Sequence, residues 1–162
     1  MVDSAPVNEL RVPKRRAEVE VVLPGGATRR VAVFLAEFAS SHEGGERLSD
    51  LLNGDRAFFP ALDDEIGEMT FLNRDGIAVA RVAAEIEHDP ASDLTLPSEF
   101  EVAIQLIDGT ELHGLVTFVL PPERSRLIDY FNDGPPFFAL LEEEHVALVN
   151  KRYVSRVAPP RK

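Results

Sequence analysis

One constellation of polar residues occurs twice in this chain, and its spacing suits either an ion pair or a binding surface. It consists of an arginine, an aspartate and an asparagine, each three positions apart: Arg47, Asp50 and Asn53, and again Arg126, Asp129 and Asn132. On a helix the arginine and aspartate lie one turn apart and form a pair worth about 0.2–0.5 kcal/mol, and the asparagine suits a helix end. The alternative is that the arginines and aspartates face a partner.

Two phenylalanine pairs are the second candidate surface. They are Phe58-Phe59 and Phe137-Phe138. Such rings can stack on nucleic-acid bases, but phenylalanines without neighbouring lysine or arginine belong more often to a core. Along an extended segment we expect one ring of each pair to point inward and the other to be exposed. An exposed ring beside an open strand edge would be an association surface.

No constellation in the sequence predicts catalysis or metal binding. The acidic runs at 63–65 and 142–145 place adjacent carboxylates in different directions, and neither has the spacing of a calcium loop or a histidine zinc site. The four histidines are scattered, without a partner in a catalytic pattern, and no phosphate-binding or nucleophile motif is present. The sequence therefore predicts a protein that is not an enzyme and has no cofactor or metal.

A duplicated segment is the strongest organisational signal. Residues 47–59 align with residues 126–138, and six of the 13 positions are identical. Upstream, the stretch from Val19 to Gly26 matches that from Val102 to Gly109, and downstream Leu72-Asn73-Arg74 matches Val149-Asn150-Lys151. Self-similarity of this kind is typical of a repeated structural unit. We expect a module at 12–87, a linker at 88–97 and a second module at 98–158.

Each module has the same predicted elements. An alternating strand meets a Gly25-Gly26 or Asp108-Gly109 turn, whose residues suit the positive φ of a tight hairpin. A second strand, a short helix over the Arg-Leu-x-Asp segment and two closing strands follow. Asn53-Gly54 and the equivalent Asn132 to Gly134 are expected to end the helices in the left-handed conformation. The predicted fold is mainly β, a small barrel with one short helix in each of two tandem repeats.

Composition restricts the partners. The net charge is −11, and each module carries −5, from 9 basic and 14 acidic residues at 12–87 and from 5 basic and 10 acidic residues at 98–158. Such acidic modules lack the excess of basic residues that phosphate neutralisation needs. Cysteine is absent, which excludes disulfides and thiolate chemistry, and no apolar run approaches membrane-spanning length. We expect a cytoplasmic protein.

The segment from Leu106 to Gly114, Leu-x-Asp-Gly-Thr-x-Leu-x-Gly, resembles the first signature of Sm-like proteins, and 146–157 loosely resembles the second. The arrangement is also similar to uncharacterised bacterial proteins with an Arg-Leu-Ser-Asp-x-Leu-Asn segment. The resemblance implies an SH3-like or Sm-like barrel. In Sm-like RNA binders the acidic residue and asparagine lie four apart with a methionine between, whereas here they lie three apart, so the RNA pocket is not carried over.

These observations favour a non-catalytic interaction or assembly module. Its strand edges and phenylalanine-bearing loops would bind another protein or further copies of the chain. The alternatives are an Sm-like nucleic-acid-binding protein, which the acidic charge disfavours, and a metal-dependent enzyme.

Overall fold

The structure is a computed structural model that describes residues 14–39, 42, 44–90, 94, 96–119, 121, 123 and 126–160. Its described elements are short strands with three short helices between them. No helix among these residues is long and apolar enough to cross a membrane.

The first half contains five strands and two helices. In chain order these are β1 (Lys14–Val22), β2 (Thr28–Ala36), α1 (Leu48–Leu52), β3 (Phe58–Asp63), β4 (Glu68–Asn73), β5 (Val79–Ala83) and α2 (Ala84–Glu87). A 3-10 turn, Arg74–Gly76, separates β4 from β5, and the side chain of Asn73 accepts the backbone N–H of Asp75 at its start. Val19 and Val21 of β1 are buried while Glu18 is exposed, so alternation predicted the strand correctly.

The second half runs through the same kinds of element in the same order. They are β6 (Ser98–Leu106), β7 (Glu111–Phe118), α3 (Leu127–Asp133), β8 (Phe137–Leu141), β9 (His145–Asn150) and β10 (Val154–Ala158). The 3-10 turn Lys151–Tyr153 precedes β10, and here the side chain of Asn150 accepts the backbone N–H of Arg152. The two asparagines that the sequence aligns therefore begin equivalent turns.

All ten strands belong to one antiparallel sheet. Their order is β10-β6-β7-β8-β9-β5-β1-β2-β3-β4. Within each half, the last strand lies beside the first, and the second, third and fourth strands come next in the sheet. The two halves meet where β9 pairs with β5. Strands β4 and β10 lie at the two ends of the sheet.

Two apolar clusters form the core. The first lies mainly among residues of β1, β2, α1, β3 and β5, with Leu48 and Leu52 of α1 each 1% exposed. The second lies mainly among residues of the second half, with Ile104, Val116 and Leu140 fully buried. Neither cluster is confined to one half, because each includes residues from across the β5·β9 pair.

The mainly-β class and the two helices over the repeated segments are as the sequence predicts. The expected pair of separate closed barrels is not what the strands form, because the β5·β9 ladder joins both halves into a single sheet that is not closed. The strands β3 and β8 were not predicted, since Phe58-Phe59-Pro60 and Phe137-Phe138 lack polar alternation.

The turn predictions have mixed outcomes. Gly25, Gly26 and Gly109 adopt positive φ, as the hairpins require. The expectation of left-handed helix ends is wrong, because neither Gly54 nor Gly134, nor any non-glycine described residue, has positive φ. Asn53 ends α1 at φ −93° and ψ 0°, which leaves its side chain available for a contact elsewhere.

Candidate protein–protein interface

The junction between the halves is an antiparallel strand ladder. Its register pairs Val79 with Val149 and continues to Ala83 opposite His145. The backbone N–H of Asn150 donates to the carbonyl oxygen of Ala78 at 2.9 Å, which extends the ladder by one bond. Two pieces of sheet are thus joined edge to edge, and the backbone groups of both edges are satisfied by each other.

Asn53 joins the end of α1 to the second half. Its Nδ2 donates to the carbonyl oxygen of Phe137 at 3.0 Å, and its Oδ1 accepts the backbone N–H of the same residue at 2.8 Å. The amide side chain therefore pairs with the first residue of β8 as a strand backbone would. One of the asparagines in the duplicated constellation is thus a contact across the junction.

Asn150 makes the reciprocal contact from the second half. Its side chain is 5% exposed, and Nδ2 donates to the carbonyl oxygen of Ile77 at 3.0 Å, just before β5. Its Oδ1 is used by the 3-10 turn, so both ends of the amide are satisfied. A buried side-chain amide needs such partners, because desolvation without a hydrogen bond costs about 1–3 kcal/mol.

Apolar side chains of the second half complete the first core. Phe137, Val146 and Leu148 are 2%, 4% and 0% exposed, and all three belong to the cluster built mainly by the first half. They come from β8 and β9, the strands nearest the junction. The junction is therefore an apolar interface as well as a ladder.

An arginine lies at the polar rim of this junction. Arg81 of β5 donates Nε to Glu142, in the turn before β9, at 2.9 Å, and Nη1 to Glu20 of β1 at 3.1 Å. The side chain of Arg81 is 24% exposed, so two half-buried carboxylates from different halves share one half-buried cation.

The β4 edge, which among the described strands pairs only with β3, carries exposed apolar side chains. Phe71 is 77% exposed and Met69 is 57% exposed, and both lie on the same face of the strand. The ring of Phe58, on the neighbouring β3, is 59% exposed. In the described part of the chain, β10 pairs only with β6, and Pro159 and Pro160 follow the strand.

The predicted pair Arg47–Asp50 is present in α1. Nε of Arg47 lies 3.6 Å from a carboxylate oxygen of Asp50, and Nη1 lies 3.5 Å from Asp89. Asp50 also accepts the backbone N–H of Arg47 at 2.8 Å and contacts His42 Nε2 at 2.6 Å. Burial by itself would raise the pKa of Asp50, but the His42 and Arg47 interactions outweigh it and lower the pKa.

The equivalent pair Arg126–Asp129 is present in α3 and faces solvent more. Nε and Nη2 of Arg126 lie 3.0 Å and 3.2 Å from the two carboxylate oxygens of Asp129. The side chain of Arg126 is 76% exposed, compared with 22% for Arg47. Asn132 is exposed, and its side chain makes no hydrogen bond with another described residue.

The phenylalanine prediction holds for one pair only. Phe58 is exposed and Phe59 is 4% exposed, as expected, but Phe137 and Phe138 are both buried. The difference arises at the junction, where Phe137 enters the first core. Of the residues singled out from the sequence, Asn53 and Phe137 contact each other across the junction, and Arg47 and Asp50 line the same groove as these two.

An open groove of about 930 Å³ runs beside the junction, lined in part by Arg47, Asp50, Asn53, Tyr130 and Phe137. Within the described part of the chain, no group of three or more acidic or histidine side chains is arranged to hold a metal ion.

Sequence reasoning did not single out the exposed Met69 and Phe71, the buried amide of Asn150, or Arg81. For Asn150, the signal in the sequence was its alignment with Asn73.

Comparisons with family models, with curated proteins and with solved structures found no match for this chain.

Proposed function

We propose that this chain is a non-catalytic assembly module, formed by duplication of a small barrel-like unit, that acts in the cytoplasm and binds other protein through its free strand edges. The support for duplication is the shared order of elements and of strands in the two halves. The support for small units is the presence of two apolar clusters, each centred on one half.

The observation that carries the proposal is the character of the β4 edge. Strand edges that remain in solvent are usually protected by charges, prolines or bulges. Strand β4 has one charged residue, Glu68, while Met69 and Phe71 are more than half exposed beside a strand edge that no other described strand pairs with. Apolar residues exposed together on an edge are typical of an association surface.

The charge of the chain favours protein over nucleic acid as the partner. Both halves are acidic, each with a net charge of −5 over residues 12–87 and 98–158, from 9 minus 14 and from 5 minus 10. A phosphate backbone would be repelled by such a surface at physiological salt.

The test compares the full chain with Phe71→Ser and a matched control. Leu96→Ser changes an apolar residue that is 98% exposed in the segment between the halves and belongs to no strand. We would measure mass by light scattering from micromolar to submillimolar concentration, and compare the proteins captured from a lysate of native cells. Loss of self-association or of captured protein in Phe71→Ser alone supports the proposal. Identical behaviour of all three proteins overturns it.

A further inference from the structure

The internal junction can be compared, position by position, with the two free edges. The sequence alignment places Asn73 with Asn150, Ile77 with Val154, and Val22 with Gln105. The strand registers agree independently. Val22 pairs with Val79 between β1 and β5, and Gln105 pairs with Arg156 between β6 and β10. Strand β10 is thus the counterpart of β5, and β4 is the counterpart of β9.

Both asparagine contacts of the junction have a counterpart that is not made among the described residues of one chain. Asn132 corresponds to Asn53, and its exposed side chain has no hydrogen bond to any other described residue. Its counterpart target is the backbone of Phe58. Asn73 corresponds to Asn150, and its Oδ1 accepts a 3-10 turn N–H in the same way, at 2.9 Å, while its Nδ2 is unbonded within the described chain.

The apolar side chains of the junction likewise have counterparts that remain exposed. The first core is completed by Phe137, Val146 and Leu148 from the second half. Their counterparts in the first half are Phe58, Met69 and Phe71, which are 59%, 57% and 77% exposed. The second core therefore lacks the three side chains that the first core receives, and those three side chains are exposed on the same molecule.

We infer that a second copy of this chain binds head to tail, with β10 of one copy paired to β4 of the next in the register of the β5·β9 junction. Phe58, Met69 and Phe71 of one copy then pack on the second core of the other. Asn132 bonds the backbone of Phe58, and Asn73 donates to the carbonyl oxygen of Val154. The inference rests on the proposed function, and it identifies the bound protein as a second copy of this chain.

The register of the intermolecular ladder follows from the internal one by replacing each residue with its aligned counterpart. The internal pair Val79–Val149 corresponds to Arg156 opposite Leu72. The pair Arg81–Ala147 corresponds to Ala158 opposite Thr70. Pro159 follows Ala158 and has no N–H to donate, so the intermolecular ladder ends there. Because the two surfaces differ, the contact is heterologous, and repeating it gives a closed ring or an open filament.

Disulfide crosslinking tests this register, because the chain contains no cysteine. Thr70→Cys and Ala158→Cys are made in separate chains that carry tags of different mass. The counterpart pair Arg81–Ala147 is not hydrogen-bonded, since it alternates with the Asn150-to-Ala78 bond, and such pairs bring Cα atoms to about 4.5 Å. This distance suits a disulfide. Glu68→Cys mixed with Ala158→Cys is the off-register control.

A mixed Thr70–Ala158 disulfide, identified by mass spectrometry and absent from the control mixture, is the expected result. Asn132→Ala is expected to weaken self-association about tenfold, the effect of losing one or two hydrogen bonds, while leaving the unfolding of the dilute chain unchanged.

Two other outcomes would contradict parts of the inference. If the chain self-associates but Thr70→Cys links mainly to itself, the edges pair by two-fold symmetry. In that case the head-to-tail register is wrong, while self-assembly stands. If the chain is monomeric at all concentrations and forms no mixed disulfide, self-assembly itself is wrong, and the proposed function survives only if Phe71→Ser loses a captured protein.

Discussion

Replacing Asn53 with alanine tests whether its side chain stabilises the junction or only ends helix α1. The side chain of Asn53 makes two hydrogen bonds to the backbone of Phe137, with lengths of 3.0 Å and 2.8 Å. If Asn53 only ended α1, its loss would have the small effect expected of a polar surface substitution. If it holds the halves together, the loss exposes two unpaired backbone groups at the start of β8.

The size of the effect follows from the burial of the partner. A hydrogen bond contributes about 0.5–1.5 kcal/mol net, and the cost rises when a buried group is left without a partner. Phe137 is 2% exposed, so water replaces the lost bonds poorly. We expect Asn53→Ala to lower the free energy of unfolding by about 2–3 kcal/mol. For a chain of this size that corresponds to a fall in Tm of about 4–12 °C.

The assay is urea unfolding of the dilute chain, with Asn132→Ala as the matched control. Asn132 lies in the last turn of α3, and its side chain bonds no other described residue, so its loss should change stability by less than about 0.5 kcal/mol. Hydrogen exchange adds a local measure, because the amide of Phe137 should exchange faster in Asn53→Ala only. Equal losses in the two variants, or no loss in Asn53→Ala, would refute the reasoning.

Two further predictions concern packing and titration. A Cβ on Gly114 would lie 2.6 Å from the carbonyl oxygen of Leu141, whereas one on Gly76 would meet nothing within 4 Å. Gly114→Ala should therefore cost about 1–3 kcal/mol in urea unfolding and Gly76→Ala less than about 0.5 kcal/mol, and similar costs would contradict the packing. Burial raises the pKa of Tyr130 to about 12. The neutral phenol therefore contributes stability below pH ~10, which is lost as pH rises toward ~12. Tyr130→Phe should lose less stability than the parent over that range, and equal losses would contradict this prediction.

The elements with a local periodic signal were predictable from the sequence. Alternation in β1 and β6 and the Gly25-Gly26 turn determine their hairpins by short-range chemistry. The i, i+3, i+4 spacing that begins at Leu48 predicted α1, because a single buried helical face accounts for it. In each case the residues that decide the conformation lie within a few positions of one another.

The shared sheet was not predictable in the same way. The local sequence of β5 and β9 does not indicate that these strands pair with each other. Both have the pattern of buried apolar strands, which could pair with several others. The role of Asn53 was hidden for the same reason. The spacing indicated a helix end, and the contact that uses its side chain comes from β8, far along the chain.

The proposed duplication accounts for equal sequence patterns in unequal surroundings. Two copies of a unit with complementary edges can satisfy only one edge of each within a chain, so one copy buries its phenylalanine and the other exposes it. The difference is visible at one aligned position, where Phe137 is 2% exposed and Phe58 is 59% exposed. Had the outer edge no partner, repeated selection against aggregation would favour charges there, as edge strands usually carry. Strand β4 instead exposes Met69 and Phe71, which fits the proposal that a second copy of the chain covers this edge.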